Sequence, residues 1–156
     1  FIDKDINIRD YLHEIISSFK EISKKEFVFN FDQDSNPKKI SKSIEIVYGL
    51  RNFIGNANKF AKNSIFINLK SDSEFTELTV EDDGNGYPRD IISKIGEPYL
   101  KSNYSKDKSK EGLGLGLFIG KTLLEKNFAS VNCRNSKTRS GAEVIIRWKN
   151  KELFNI

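Results

Sequence analysis

The chain has 156 residues, a formal net charge of +4 and 37% hydrophobic residues, which suits one soluble globular domain with its own core. No stretch is apolar enough to span a bilayer. The lysines are scattered among acidic residues and no basic helix carries interleaved aromatics, so the sequence argues against nucleic-acid binding. Because the chain contains no methionine, we expect residue 1 not to be a natural start and the chain to be part of a longer protein.

The predicted elements follow from the hydrophobic periodicity. After a leading strand, the pattern predicts a helix over 8–24 and a strand over 26–32. A long helix over 41–62 and strands over 64–71 and 75–82 come next. A lysine-rich loop, a helix entered through glycines and two closing strands complete the predicted order.

The long predicted helix carries an ordered polar stripe. Its apolar face consists of Leu50, Ile54, Ala57 and Ala61. Asn52, Asn56 and Lys59 stand at i, i+4 and i+7 and therefore line one narrow strip. Amide oxygens suit Mg²⁺ and a lysine suits phosphate. The alternative is a solvated face in an asparagine-rich protein.

A carboxylate ends the strand over 75–82. Thr76, Leu78 and Val80 alternate on one face, and Asp82 falls on that same apolar face. A buried carboxylate is costly unless hydrogen-bond donors satisfy it, and the exocyclic amine of adenine is one candidate donor. Gly84 and Gly86 would make room for a base, although an ordinary Asp-Gly turn is the competing interpretation.

A third motif places glycines at every second position. Gly112, Gly114 and Gly116 precede an amphipathic stretch that runs through Lys126. Glycines allow the main chain to approach a ligand closely, and the start of a helix offers free N–H groups to phosphate. A purely structural glycine-rich turn is the alternative for this motif alone.

These three motifs, in this order, resemble the ATP-binding catalytic domain of sensor histidine kinases, within the gyrase, Hsp90, kinase and MutL ATPase superfamily. The resemblance covers essentially the whole chain and includes Gly96-Glu97-Pro98-Tyr99 and the closing strand over 141–148. The amino-acid sequence at 96–99 and 114–125 is similar to that of the RegB/PrrB-type redox-responsive subgroup. The resemblance implies an α+β fold, a two-layer sandwich of helices on a mixed, largely antiparallel sheet, with an ATP lid at about 87–112.

The resemblance also implies a role for each motif. Asp82 would bind the adenine amine and Phe60 would pack near the base or ribose. Asn56 would ligate Mg²⁺ with the support of Asn52, and Lys59 would contact phosphate. The N–H groups of Gly114 and Gly116, at the helix start, would hold the β- and γ-phosphates. The implied nucleotide-binding set is Asn52, Asn56, Lys59, Phe60, Asp82, Gly84, Gly86, Gly112, Leu113, Gly114, Leu115, Gly116 and Leu117.

The implied reaction transfers the γ-phosphoryl group of Mg-ATP to a histidine on a separate dimerisation and phosphoacceptor domain. Relatives that hydrolyse ATP efficiently carry a glutamate four residues before the metal-binding asparagine, where this chain has Asn52. We therefore expect the domain to hold ATP for an incoming imidazole. A pseudokinase that signals by lid closure and a serine kinase of the anti-sigma-factor type remain the alternatives.

The resemblance further implies a partner set and a location. The partners would be the phosphoacceptor domain directly and a response regulator indirectly, with a homodimeric parent kinase and no nucleic acid. The domain would be cytoplasmic, without membrane contact of its own, and the parent would be anchored in the inner membrane. The single cysteine, Cys133, excludes an intramolecular disulfide and suits a reducing compartment, but it receives no role here.

The only histidine, His13, is not the predicted phosphoacceptor. It falls opposite an apolar helical stripe, and no second helix of a dimerisation hairpin follows it. The residues of that predicted core stripe are Leu12, Ile15, Ile16, Phe19 and Ile22.

The chain also departs from the family pattern. Tyr87 replaces a usual isoleucine, Leu113 a usual threonine or serine, and Ala142 or Glu143 a usual threonine. The lid lysines, of which one or more would neutralise triphosphate, are Lys101, Lys106, Lys108 and Lys110.

Overall fold

The computed structural model describes residues 5–32, 38–41, 43–92 and 108–153, with side chains except those of Asp5 and of 108–114. Its first half comprises β1 (Asp5–Asn7), α1 (Ile8–Lys20), β2 (Glu26–Phe31), β3 (Lys39–Ser41), α2 (Ile44–Phe60), β4 (Ser64–Ser71) and β5 (Phe75–Asp82). Its second half comprises α3 (Arg89–Ile92), α4 (Lys108–Lys126), β6 (Ala129–Asn135), β7 (Ala142–Lys149) and a 3₁₀ turn (Asn150–Glu152).

The main sheet has five strands in the order β2-β4-β5-β7-β6. β2 pairs with β4 in parallel, and the other three pairings are antiparallel. β1 and β3 form a separate two-stranded antiparallel ladder. The predicted mixed, largely antiparallel sheet is therefore confirmed, while the short strand β3 was not predicted.

Polar caps set where the first two helices begin. The Asn7 side chain accepts a hydrogen bond from the N–H of Arg9 at 2.9 Å, and the Ser43 side chain accepts one from Glu45 at 3.2 Å. α1 ends at Lys20, four residues earlier than predicted. Ile22 therefore lies beyond the helix with 81% of its surface exposed, and its predicted place in the core is wrong.

Successive side chains of a strand point to opposite faces of the sheet, and the helices cover one of these two faces. In β5, Thr76, Leu78 and Val80 are buried, as the alternation predicts. The apolar face of α2 packs into the same core, and His13 on α1 is exposed and contacts the Phe29 ring edge-on at 4.7 Å. Among the described helices, none has an apolar run long enough to cross a membrane.

α2 and α4 pack closely and in opposite directions through glycines. A Cβ at Gly49 would lie 2.8 Å from the Leu124 side chain, and one at Gly120 would lie 2.8 Å from the Phe53 ring. Residue numbers rise along α2 as they fall along α4, so Gly116 comes next in this series. It faces the asparagines of α2.

The start of α4 corrects one prediction. The helix begins at Lys108, so Gly112, Gly114 and Gly116 lie inside it and not in a turn that leads into it. Lysine, glutamate and leucine are good helix formers, and a helix supplies acceptors for the glycine N–H groups. The predicted lid falls mostly on residues 93–107, which lie outside the described residues, as do Lys101 and Lys106.

Candidate functional site

Two asparagines of α2 face a glycine of α4. A Cβ at Gly116 would lie 3.4 Å from Asn56 Nδ2 and 3.7 Å from Asn52 Oδ1. Asn52 Nδ2 donates to the Tyr48 carbonyl one turn earlier at 2.7 Å, which fixes the amide and leaves its oxygen toward Gly116. The helical spacing thus brings together two of the predicted residues and the last glycine of the third motif.

Asn56 carries a polar group without a partner. Its Nδ2 atom is buried and makes no hydrogen bond, although a buried amide normally has one. Rotation of the amide by half a turn would exchange its donor and acceptor, so either atom can meet a ligand there. The neutral amides of Asn52 and Asn56 lie beside the α4 backbone at Gly116, and such amides suit a Mg²⁺ ion that is also held by phosphate oxygens. In the described part of the chain, no group of three or more His, Cys, Asp or Glu could hold a metal.

Lys59 and Phe60 lie one turn beyond Asn56, at the end of α2. The Lys59 ammonium lies 5.3 Å from the centroid of the Phe60 ring, within range of a cation–π contact. Lys59 is exposed and Phe60 is half-buried, so a cation and an aromatic face are both accessible at this end of the helix.

Asp82 is buried at the end of β5, as predicted, with 3% of its surface exposed. Its Oδ1 atom accepts hydrogen bonds from the N–H groups of Gly84 at 2.8 Å and Ala142 at 3.3 Å. Burial raises the pKa of Asp82 above its usual range, although these two N–H donors act in the opposite direction. The carboxylate is therefore under-compensated, and a further donor such as an amine would stabilise its charged form.

The loop after Asp82 needs its glycines. A Cβ at Gly84 would lie 2.2 Å from the Phe60 carbonyl oxygen, so the loop lies directly against the end of α2. Gly86 has a φ of +79°, a conformation that side chains disfavour. These contacts join the Asp82 end of the site to the helix that carries the asparagines.

Asp83 has a structural role that contrasts with that of Asp82. Its Oδ1 accepts from the N–H groups of Lys62 at 2.8 Å, Asn63 at 3.0 Å and Ser64 at 3.2 Å. Burial acts to raise the pKa of Asp83, but these donors outweigh it and the pKa is lowered. Asp83 thus fastens the turn between α2 and β4 to the Asp82 loop.

The glycine motif is divided in the structure. Leu115 is exposed, and Leu117 is fully buried in the core, so its side chain packs and does not face the site. Gly112, Leu113 and Gly114 lie on α4, and their surroundings are outside the described side chains. Among the residues of this motif whose surroundings the structure describes, Gly116 is the one that lies against the asparagines.

Substitution of Gly116 by alanine is expected to separate stability from binding. Alanine favours the helix by about 1 kcal/mol over glycine, so the free energy of unfolding should rise. The new methyl group would occupy the space beside Asn56 and weaken Mg-ATP binding by about tenfold, or about 1.4 kcal/mol. Calorimetric titration and thermal melting measure the two effects.

Gly55→Ala is the matched control for this substitution. It lies in α2, where a Cβ would meet the Phe19 ring at an ordinary 3.6 Å. We expect it to gain stability and keep its ATP affinity. Equal affinities for Gly116→Ala and Gly55→Ala would show that the space at Gly116 receives no ligand.

Sequence reasoning missed the contribution of the β6–β7 hairpin. A Cβ at Gly141 would lie 2.0 Å from the Asp82 carbonyl oxygen and 2.3 Å from Oδ1. Asn135 hydrogen-bonds the backbone of Tyr87. The Ser-Gly pair before β7 signals a turn, but no local signal shows that this turn lies over Asp82.

Two hollows among the described residues lie away from the predicted site. One is enclosed by apolar side chains of α1, α2 and the sheet, and the other is a surface groove at Ser73–Phe75 and Lys149–Lys151. Neither is lined by the predicted site residues.

The sequence matches a known family over most of its length. Residues 41–152 match the family described as "Histidine kinase-, DNA gyrase B-, and HSP90-like ATPase". Sensor histidine kinase RegB of Cereibacter sphaeroides is 38% identical over 97 residues, which cover 59% of this chain and 21% of that protein. Sensor protein RstB of Escherichia coli is 31% identical over 99 residues, which cover 64% and 23%. The chain thus spans about a fifth of the length of these relatives, and the resemblance to RegB is confirmed.

Solved structures confirm the fold. The catalytic domain of histidine kinase ThkA superposes with a TM-score of 0.76 at 20% identity, covering 94% of this chain and 96% of that one. The mycobacterial sensor histidine kinase MprB superposes with a TM-score of 0.72 at 18% identity, covering 95% and 97%. The predicted α+β sandwich is therefore the fold of this chain.

Proposed function

Because the chain belongs to the family of histidine kinase-, DNA gyrase B- and HSP90-like ATPases, we propose that it binds Mg-ATP and donates the γ-phosphoryl group to a histidine. The acceptor histidine would lie on a separate dimerisation and phosphoacceptor domain. The observation that carries this proposal is the buried Nδ2 atom of Asn56, which has no hydrogen-bond partner and lies beside Gly116.

Asp82 would select the adenine base. Its buried carboxylate already accepts two backbone hydrogen bonds, and its raised pKa reflects an incompletely compensated charge. An exocyclic amine supplies the donor that this carboxylate lacks, whereas the carbonyl at the same position of guanine would face it with a second acceptor. The accessible ring of Phe60 would pack near the base or ribose.

Asn56, with the support of Asn52, would hold Mg²⁺ through amide oxygen. When bound, the ion neutralises charge on the phosphates and orients them. Lys59 would contact a phosphate oxygen from the same face of α2. The N–H groups of Gly114 and Gly116 would face the β- and γ-phosphates in this proposal, which requires them to be released from the hydrogen bonds of α4.

Among the described side chains around Asn56, the position that would carry a base for hydrolysis holds an amide. Asn52 occupies the position one turn before Asn56, and an amide does not accept a proton from water at neutral pH. The chain would therefore position ATP without activating a water molecule, and the acceptor domain would supply the base for its own histidine. A response regulator would receive the phosphoryl group afterwards, and the parent kinase would be a homodimer.

A transfer assay tests the reaction. The chain is mixed with a separate histidine-bearing dimerisation domain and ATP labelled at the γ-phosphate, and the labelled product is treated with acid. We expect an acid-labile phosphohistidine. An acid-stable product would indicate a serine kinase instead, and ATP binding without transfer to any acceptor would favour the pseudokinase.

Replacement of Asn56 by alanine is expected to weaken binding only when the metal is present. Loss of a metal ligand should reduce Mg-ATP affinity by about tenfold to a hundredfold, while metal-free ADP and adenosine bind nearly as before. Calorimetry with and without Mg²⁺ measures the difference.

Asn58→Ala is the control for this variant. Asn58 lies on the same helix but contacts the turn that follows α1, where its Oδ1 accepts a hydrogen bond from Ser23 Oγ at 2.6 Å. We expect its Mg²⁺ dependence to match that of the wild type. Equal loss of all ligands in Asn56→Ala would contradict a metal role.

A further inference from the structure

The β6–β7 hairpin grips the loop that follows Asp82. Asn135, the last residue of β6, accepts a hydrogen bond from the Tyr87 N–H at 2.6 Å through Oδ1. Its Nδ2 donates to the Tyr87 carbonyl at 3.1 Å. One side chain thus satisfies both backbone polar groups of a residue that is 48 positions away in the sequence.

The Asn135 side chain also packs closely against Gly86. A Cβ at Gly86 would lie 2.7 Å from Asn135 Oδ1, so the amide fills the space that a side chain would need. Gly86 has a φ of +79°, in the left-handed region that glycine adopts readily. The turn at Gly86 and the Asn135 side chain are therefore mutually fitted.

The β6–β7 hairpin is itself bonded to Glu81 of β5, which holds its turn in place beside the loop. The Arg139 guanidinium forms an ion pair with the buried Glu81 at 3.4 Å, and Ser136 hydrogen-bonds the other oxygen of Glu81. The N–H of Ser136 donates to the Gly141 carbonyl at 2.7 Å, which closes the hairpin. Glu81 immediately precedes Asp82 in the chain.

Tyr87 is held at its ring as well as at its backbone. The ring is buried, and its hydroxyl lies near the thiol of Cys133. Cys133 and Asn135 are two residues apart in β6 and point to the same face of that strand. One face of β6 therefore contacts both the ring and the backbone of Tyr87, the last residue of the loop.

We propose that Asn135 is a positioning residue that holds the Gly84–Tyr87 loop in the shape required for adenine to reach Asp82. The inference rests on the nucleotide-binding function proposed above. The N–H groups that donate to Asp82 Oδ1 belong to Gly84, at the start of this loop, and to Ala142, the first residue of β7. If Asn135 no longer held the loop, the Gly84 N–H would move relative to Asp82, while the Ala142 N–H would stay in place.

Three variants of the chain test the inference by calorimetry with ATP. Asn135→Ala removes both hydrogen bonds to Tyr87, and we expect ATP affinity to fall about tenfold. Asn135→Asp keeps the acceptor for the Tyr87 N–H, and we expect it to lose only about threefold. Asn132→Ala removes an exposed asparagine from the opposite face of β6 and should bind as the wild type does.

The Mg²⁺ dependence of ATP binding distinguishes a positioning role of Asn135 from a merely structural one. For a positioning role, the ratio of ATP affinities with and without Mg²⁺ stays at its wild-type value in Asn135→Ala, because the phosphate end is untouched. Unchanged ATP affinity in Asn135→Ala, or an equal loss in Asn135→Asp or Asn132→Ala, would overturn the inference. Failure of the wild-type chain to bind ATP would instead overturn the proposed function.

Discussion

Replacement of Asp82 by asparagine is expected to weaken ATP binding and to stabilise the fold. The charge-assisted hydrogen bond to the adenine amine is worth roughly 1.5–3 kcal/mol, so affinity should fall about tenfold to a hundredfold. The asparagine oxygen can still accept from Gly84 and Ala142, so the loop keeps its internal bonds. Removal of a buried charge should at the same time raise the free energy of unfolding at neutral pH.

The gain in stability should depend on pH in a defined direction. Burial raises the pKa of Asp82 in the folded state above its usual value of 3.8. The folded state therefore holds the proton more tightly than the unfolded state, and this contribution is complete below pH 3.8. It is lost as the pH rises through the raised pKa. Thermal melts across acidic to neutral pH should show the variant gaining on the wild type over that range.

Asp83→Asn is the matched control, since it changes the neighbouring carboxylate. Three backbone N–H groups lower the pKa of Asp83 in the folded state, so its stabilising contribution is present above pH 3.8 and lost as the pH falls through the lowered pKa. We expect this variant to lose stability at neutral pH and to keep most of its adenine affinity. If Asp82→Asn retained full ATP affinity, the adenine assignment would be wrong.

Gly141→Ala is expected to damage both stability and binding. The added Cβ would lie 2.0 Å from the Asp82 carbonyl oxygen and 2.5 Å from its carbonyl carbon. These are backbone atoms of a central strand, which cannot turn aside as a flexible side chain can. Overpacking of this kind costs about 3 kcal/mol, or a melting temperature lower by roughly 6–12 °C.

Binding should also fall in Gly141→Ala, because the clash pushes the hairpin and the Ala142 N–H away from the carboxylate. Ser140→Gly provides the comparison: Ser140 has a φ of +65° and only a 3.4 Å hydrogen bond to the Gly84 carbonyl. Glycine accepts that φ freely, so stability should change by less than about 1 kcal/mol. A Gly141→Ala chain with wild-type melting and ATP affinity would refute the close approach.

Asp82→Asn and Gly141→Ala test one arrangement from opposite sides. Asp82 belongs to β5 and Gly141 precedes β7, yet β5 and β7 are neighbours in the sheet, with Glu81 opposite Glu143. The adenine end of the proposed site is thus built where two antiparallel strands meet. The phosphate end is built where α2 and α4 cross, and the Phe60–Gly84 contact joins the two ends.

Much of the site could be predicted because its signals are local. The period of two in β5 puts Asp82 on the buried face together with Leu78 and Val80, and the structure confirms its burial. The period of α2 places Asn52 and Asn56 on one side of the helix, where they meet Gly116. The assignment of these residues to ATP and Mg²⁺ remains a prediction that the experiments above test.

Other features could not be predicted. Helix propensity prevailed over a glycine-rich turn at the start of α4, which begins at Lys108. The sequence pattern had favoured a start several residues later. The end of α1 at Lys20, and hence the exposure of Ile22, depended on where the chain turns toward β2.

The sequence by itself therefore determined which faces of the helices and strands are buried, and with them the positions of Asp82, Asn52 and Asn56. Only the tertiary structure decided that the hairpin before β7 covers Asp82, that Asn135 holds Tyr87 and that Gly116 approaches Asn56. The physical reason is one of range. Periodicity acts over a few neighbouring residues, whereas these contacts depend on strand order and helix packing between distant segments of the chain.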